Sequence, residues 1–111
     1  MNVRFETRYL KKRFPLRISR GIKEGSHNLF VFVEKNGLTG IGEMAPGSSE
    51  GAENPEIGQA ALEKLLESNI DGLSIWQVYD LAMEKEVPPC AIAALDLAMW
   101  DLLAKSAKLP L

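Results

Sequence analysis

The stretch PPCAIAALDLAMWDLLAK, residues 88 to 105, decides the fold because it predicts a helix that is apolar almost all round. Two prolines open it, and proline suits the first helical turn, where its missing N–H costs no hydrogen bond. The acidic residues in the run, Asp96 and Asp101, stand about 140° apart on a helical wheel. A helix with so little polar surface must be covered on most sides. It is also too short and too interrupted to span a bilayer.

Length and composition indicate one domain with enough apolar content for a single core, since the chain has 111 residues and is 46% hydrophobic. Its single cysteine, Cys90, excludes an internal disulfide and fits a reducing compartment. The N-terminal residues alternate polar and apolar side chains and show no apolar core of a signal peptide. We therefore expect a cytoplasmic protein.

Charge is unevenly distributed along the chain. Residues 1–35 carry nine basic and three acidic side chains, whereas the remainder carries four basic and twelve acidic ones. Such asymmetry can mark a nucleic-acid or membrane surface. No aromatic RNA-binding motif or recognition helix accompanies it. We interpret the basic side chains as the solvent face of a sheet, docked against or beside acidic helices, and expect neither nucleic acid nor membrane as a partner.

The first half of the chain predicts three strands. Alternation from Val3 to Tyr9 indicates a strand with one solvent-exposed face, which Pro15 then interrupts. Residues 19–27 are polar with two glycines and predict a flexible loop. Residues 29–33, LFVFV, predict a strand covered on both faces, and the pair Asn36-Gly37 predicts a hairpin turn. In the return strand, residues 38–44, two glycines at 40 and 42 indicate a close backbone approach or a bulge.

The second half predicts three helices. A second loop covers residues 46–54, and Asn54 caps a helix that begins at Pro55. Ser74 with Gln77 forms a capping box for a second helix, and the apolar helix follows. The predicted fold class is α+β, a three-stranded antiparallel meander followed by three helices.

Chemically suggestive side chains are scattered and do not form a self-sufficient active site. His27 is the only histidine, and the sequence shows no partners that would make it part of a histidine–carboxylate metal cluster or a Ser–His–Asp triad. We expect it in a solvated loop. The remaining candidates are interpreted as structural: a core thiol at Cys90, backbone or arginine partners at Asp96 and Asp101, and core indoles at Trp76 and Trp100.

Arg20 is different because it stands in the first predicted loop, between Ser19 and Gly21. A guanidinium in that place could clamp a substrate carboxylate through two hydrogen bonds. A single loop arginine more often lies in solvent, so the residue types alone leave both interpretations open.

Two motifs together resemble a known family. GIGEMAP at residues 40–46 follows the Asn-Gly hairpin, and AALDLAMWDLLAK at 93–105 is followed by LPL at 109–111. These motifs resemble the N-terminal capping domain of the enolase superfamily, nearest to the muconate-lactonizing subgroup. The segment FPLRISRG at 14–21 is similar to the first substrate loop of the dipeptide epimerases.

The resemblance implies that the chemistry belongs to a (β/α)₈ barrel that is absent from this chain. In such enzymes barrel carboxylates hold Mg²⁺, one lysine removes a proton α to a carboxylate, and a second lysine returns it. A barrel needs about 200 residues or more. We therefore expect residues 1–111 to be the capping domain of a longer isomerase, a fragment with no catalytic or metal-binding residue and no epimerase activity of its own.

The resemblance also implies which residues contact the substrate. Two loops of the capping domain close over the barrel mouth, exclude water and select the substrate. Arg20 matches the position that contacts a substrate carboxylate in the Ala-Glu epimerases, which would imply a dipeptide with an acidic second residue. The implied partners are a small-molecule carboxylate such as a dipeptide, the protein's own barrel, and further copies in a homo-oligomer. The implied substrate-binding residues are Ser19, Arg20, Gly21, Ile22, Pro46, Gly47 and Ser48.

Two alternatives remain open. Within the enzymes, the domain could cap a muconate cycloisomerase or an o-succinylbenzoate synthase. In another class, it could be a stand-alone protein-interaction module that uses the basic sheet or the apolar helix as its surface.

Overall fold

The computed structural model describes residues 1–18, 21–46, 51–52 and 54–108, with the backbone alone for residues 11–18 and 21–25. Three antiparallel strands in the order β1-β2-β3 precede three helices, which confirms the predicted α+β class. The elements are β1 Asn2–Ile18, β2 Gly21–Lys35, β3 Leu38–Met44, α1 Pro55–Leu65, α2 Ile75–Glu84 and α3 Pro89–Ser106. Within the described part of the chain, none of the helices has the length and apolar run that a membrane crossing requires.

The first hairpin is longer than the sequence predicts. Pairing continues to Ile18 opposite Gly21, so the prediction of a loop was wrong for residues 21–27. Polar side chains and glycines do not prevent a ladder that main-chain hydrogen bonds hold. The interruption predicted at Pro15 was wrong, because β1 continues through it to Ile18. The ladder is only locally irregular there, since five steps of β1 between Lys11 and Leu16 lie opposite two steps of β2.

The second hairpin and the helix starts follow the sequence closely. Asn36 and Gly37 both have positive φ, at 52° and 77°, as the predicted two-residue turn requires. The Asn54 side chain accepts a hydrogen bond from the Ile57 N–H, and the predicted capping box joins Ser74 and Gln77 in both directions.

Strand β2 is covered on both faces, as predicted. Its inward residues Leu29, Val31 and Val33 are fully buried against the helices. On the outer face the Arg4 guanidinium lies 4.0 Å from the Phe32 ring centre. Arg4 also donates a hydrogen bond to Glu34 across 2.9 Å. Its acidic partner is therefore on the sheet, whereas the sequence predicted acidic partners on the helices.

Helix α3 packs directly on the backbone of β3. A Cβ at Gly40 would lie 2.0 Å from the Ala98 carbonyl oxygen, and one at Gly42 would lie 1.9 Å from that of Ala94. The close approach predicted from these glycines is therefore confirmed. Six of the eighteen residues of α3 are buried in the core that this contact forms: Ala91, Ile92, Ala94, Leu95, Ala98 and Met99.

The free edge of β3 is covered by polar side chains of the same helix. Asp101 accepts from the Ile41 N–H across 2.9 Å, and Lys105 donates to the Thr39 carbonyl oxygen across 2.7 Å. Lys105 and Asp101 also form an ion pair at 2.9 Å. These contacts satisfy main-chain groups that an exposed edge would leave open to another strand.

Replacing Asp101 with asparagine is expected to destabilise the protein in a pH-dependent way. The Lys105 hydrogen bond, followed by that of the Ile41 N–H, holds the pKa of the Asp101 carboxyl below its ordinary value. A lowered folded pKa contributes stability above the unfolded pKa of about 3.9 and loses it as pH falls through the folded value. Urea unfolding at pH 7 should therefore show a deficit of about 1.5 kcal/mol. The deficit should shrink toward pH 3, whereas an equal deficit at both pH values would contradict this origin.

Candidate functional site

The two segments predicted to contact a substrate leave the same end of the sheet. Strands β1 and β3 both run toward that end, where β1 turns into β2 and β3 leads to Pro46. The last β2–β3 pair is Leu29 with Met44, whereas β1 and β2 remain paired as far as Gly21. The first hairpin therefore extends past β3 by eight residues of β2, about 26 Å at the usual rise of a strand. We call the part of this two-stranded extension that lies beyond Asn28, residues 9–18 and 21–27, the arm.

Only part of the predicted substrate site lies in the described residues. Gly21 and Ile22 are at the end of the arm, in β2, opposite Ile18 and Arg17. Pro46 is half-buried and follows β3, so the structure brings it to the same end of the sheet but not to the end of the arm. The other predicted positions lie outside the described residues: Ser19, Arg20, Gly47 and Ser48.

The base of the arm carries an aromatic pair. Tyr9 and His27 are opposite each other in the ladder, with ring centres 4.9 Å apart and planes at 53°. The prediction that His27 lies in a loop was wrong, because the ring belongs to β2, although its exposure to solvent is confirmed. This pair joins β1 to β2 where the third strand ends.

A hydrogen-bonded polar group lies beside that pair, and sequence reasoning missed it. Asn28 is only 4% exposed, and its side-chain N–H donates to the Glu43 carboxylate across 2.5 Å. The Ser26 hydroxyl donates to the Asn28 side-chain oxygen across 2.6 Å. The signal was present in the sequence: a two-residue turn at Asn36-Gly37 fixes Phe30 opposite Glu43, and Asn28 is then the diagonal neighbour of Glu43.

The two carboxylates of α3 have structural partners and do not act as a pair. Asp101 is held by Lys105 and the Ile41 N–H, which confirms a backbone partner, with lysine in place of the expected arginine. Burial raises the pKa of the Asp96 carboxyl, although a hydrogen bond from the Trp100 side chain opposes the shift. Among the side chains that the structure describes, no group of three or more His, Cys, Asp or Glu residues could hold a metal ion. The described residues therefore do not fit a Mg²⁺ site.

A groove between described residues lies at the opposite end of the sheet from the predicted substrate segments. It has a volume of about 450 Å³ and lies beside the Asn36-Gly37 turn. Trp76 and Trp100 line it with ring centres 5.3 Å apart, edge to face. The prediction of a core position was wrong for Trp76, which is 69% exposed, because the first turn of α2 directs it into this groove. The groove is therefore not the predicted substrate site.

A three-stranded meander packed on three helices is also the architecture of the N-terminal domain of enolase-superfamily enzymes, and this chain is of that class. Residues 2–111 match the family model "Mandelate racemase / muconate lactonizing enzyme, N-terminal domain". The chain therefore belongs to this family.

Proteins similar to this chain include several that are named dipeptide epimerases. Two relatives, from Flavobacteria bacterium (strain MS024-2A) and Roseobacter litoralis, are named hydrophobic dipeptide epimerase. Each is 54% identical over 111 residues, which are 100% of this chain and 32% of the relative. The chain thus spans about a third of the length of these relatives.

A solved structure gives the same result at the level of the fold. The dipeptide epimerase from Cytophaga hutchinsonii, complexed with Mg and the dipeptide D-Ala-L-Val, superposes with a TM-score of 0.80. Its sequence identity to this chain is 25%, over 95% of this chain and 30% of that one. The similarity extends over nearly the whole chain and includes the meander and the helices.

Proposed function

We propose that this chain is the capping domain of a Mg²⁺-dependent dipeptide epimerase that acts on hydrophobic dipeptides. The observation that carries the proposal is the 54% identity, over the whole chain, to two proteins named for that activity. The arm and the end of β3 support it, because they form two neighbouring segments that leave one end of a rigid sheet. Binding residues are often found on such segments, which a scaffold positions.

In this proposal the chain selects and encloses the substrate, and the rest of a longer protein moves the proton. Epimerisation removes a proton α to a carbonyl group and returns it to the opposite face, and Mg²⁺ supplies charge stabilisation for the enolate. We assign the metal and the acid–base groups to the barrel, as the resemblance to the enolase superfamily implies. Among the described side chains, no group of three or more His, Cys, Asp or Glu could hold a metal ion. The barrel is then the main partner of this domain, and assembly into a homo-oligomer stays a prediction.

The contacts with the substrate are assigned to the two segments at the sheet end. Exclusion of water by such a cover strengthens electrostatic interactions at the reacting atoms and prevents leakage of the proton. The proposed contact residues are those predicted from the sequence: Ser19, Arg20, Gly21, Ile22, Pro46, Gly47 and Ser48.

Arg20 and the names of the relatives imply different classes of substrate. The interpretation of Arg20 as a carboxylate clamp implies an acidic second residue in the dipeptide. The names of the two relatives favour hydrophobic dipeptides. This argument uses sequence identity over all 111 residues, whereas the argument from Arg20 uses one position. We therefore propose hydrophobic dipeptides as the substrates.

The test is the full-length protein incubated with a dipeptide library in D₂O and Mg²⁺, with α-deuterium incorporation followed by mass spectrometry. Hydrophobic dipeptides such as L-Ala-L-Val should exchange with kcat/KM at least about tenfold above L-Ala-L-Glu, a difference of about 1.4 kcal/mol. Preference for L-Ala-L-Glu would overturn the substrate class and restore the clamp interpretation of Arg20. Exchange with no dipeptide at all would overturn the epimerase proposal.

A further inference from the structure

We propose that the hydrogen bond between Asn28 and Glu43 fixes the arm relative to the end of β3, and that these two residues are positioning residues for substrate selection. The inference rests on the proposed function, because the segments that the pair would position are the proposed substrate contacts. It assigns a role to Glu43, the acidic residue of the GIGEMAP motif, which lies three residues before Pro46.

The pair is at the point where the sheet changes from three strands to two. Leu29 is the last residue of β2 with a partner in β3, and Asn28 is the next residue toward the arm. From Asn28 to Gly21, β2 is paired with β1 alone. A side-chain bond at this position joins the base of the arm to the strand that leads to Pro46.

The bond is built to hold one geometry. Asn28 is 4% exposed, and both ends of its amide are occupied, the oxygen by the Ser26 hydroxyl and the nitrogen by the Glu43 carboxylate. A hydrogen bond to a carboxylate is stronger than one between neutral groups. Loss of the carboxylate would leave a buried N–H donor without its partner, and such a donor is costly to leave unpaired. The buried amide therefore favours the arrangement in which the arm and β3 are held together.

The arm needs such a contact because an isolated two-stranded ladder is only marginally stable. Its ladder is also irregular between Lys11 and Leu16. A small change of angle at its base is magnified along its length of about 23 Å. A displacement of about 1 Å at a substrate contact can cost about 100-fold in kcat/KM. Substrate selection would therefore depend on the direction of the arm, because that direction sets the position of the proposed substrate contacts.

The experiment uses the full-length protein with Glu43→Ala, Glu43→Gln and the control Glu34→Ala. Glu34 is matched to Glu43 because it lies on the same sheet face and accepts from Arg4, but it is at the opposite end of the sheet. Glu43→Ala should raise KM for hydrophobic dipeptides about tenfold, equivalent to about 1.4 kcal/mol. It should also change the ratio of kcat/KM between two dipeptides, with kcat almost unchanged. Glu43→Gln, whose amide oxygen still accepts from Asn28, should restore most of the wild-type behaviour.

Hydrogen exchange of the same proteins gives a readout that does not depend on turnover. Glu43→Ala should speed amide exchange in residues 21–28, whereas Glu34→Ala should leave that segment unchanged. If Glu43→Ala does not fold, Glu43→Gln is the test variant, and its KM and amide exchange should shift in the same direction by a smaller amount. A wild type that is inert on every dipeptide rejects the proposed function, and the exchange measurement still tests this inference.

Three results would overturn the inference. The first is a Glu43→Ala protein whose KM, ratio of kcat/KM between two dipeptides and amide exchange are the same as in the wild type. The second is an equal effect from Glu34→Ala, which would indicate a general loss of stability. The third is a loss confined to kcat, which would place Glu43 in the chemical step.

Discussion

Replacing Gly42 with alanine should destabilise the protein by about 3 kcal/mol, at the upper end of the usual cost of overpacking a core. The added Cβ would lie 1.9 Å from the Ala94 carbonyl oxygen and 3.0 Å from the Ala98 nitrogen. Both atoms belong to the backbone of α3, so no side chain can rotate away and the helix itself must move. Such movement would open the contact on which the buried face of α3 depends.

The matched control for this substitution is Gly72→Ala. Gly72 has a φ of 85° and nothing within 4 Å of an added Cβ, so this variant carries backbone strain without a clash. Its cost should be about 1–2 kcal/mol. Urea unfolding followed by far-UV circular dichroism measures both variants. A Gly42→Ala protein as stable as the Gly72→Ala protein would show that the approach of α3 to β3 is not a tight constraint.

Removing the arm should have the largest effect on activity. Lys11 is paired with Gly25, so an Asn-Gly turn can replace residues 12–24 and close the ladder with two residues. The arm side chains that the structure describes, those of residues 9, 10, 26 and 27, lie outside the buried core, and we expect the rest of the domain to keep its stability. In the full-length protein kcat/KM for hydrophobic dipeptides should fall by about 100-fold or more, since the cover would be lost.

Steady-state kinetics and a thermal melt of the shortened full-length protein check this expectation together. Loss of kcat/KM with a wild-type melting temperature supports the arm as a substrate cover. A shortened protein that retains wild-type kcat/KM and the same dipeptide preference would show that the arm has no part in substrate binding.

The elements that the sequence predicts well are those with a local cause. Asn36-Gly37 fixes its turn through backbone conformation, and the Asn54 and Ser74 caps satisfy helix N–H groups within three residues. The glycines at 40 and 42 indicate that another part of the backbone approaches β3 closely, but they do not show that this part is α3. The fully apolar α3 indicates cover on most sides in the same way.

The features that the sequence does not predict have distant causes. The arm is a pairing of β1 with β2, and Pro15 with the glycines nearby gives the local pattern of a loop. Trp76 was expected in the core because large aromatic side chains are usually buried, but the residue type does not show that the first turn of α2 directs it into a groove. The Asn28–Glu43 contact can be predicted only after the residues of β2 and β3 have been paired one by one from the Asn36-Gly37 turn.

The most direct test of the central claim, that this domain encloses the substrate while other parts move the proton, is a crystal structure of the full-length protein with a hydrophobic dipeptide and Mg²⁺. The expected result is a dipeptide whose side chains contact residues 19–22 and 46–48, with the metal ligands and the groups at the α-carbon outside residues 1–111. A dipeptide bound in the Trp76–Trp100 groove, or a metal ligand within residues 1–111, would contradict the account.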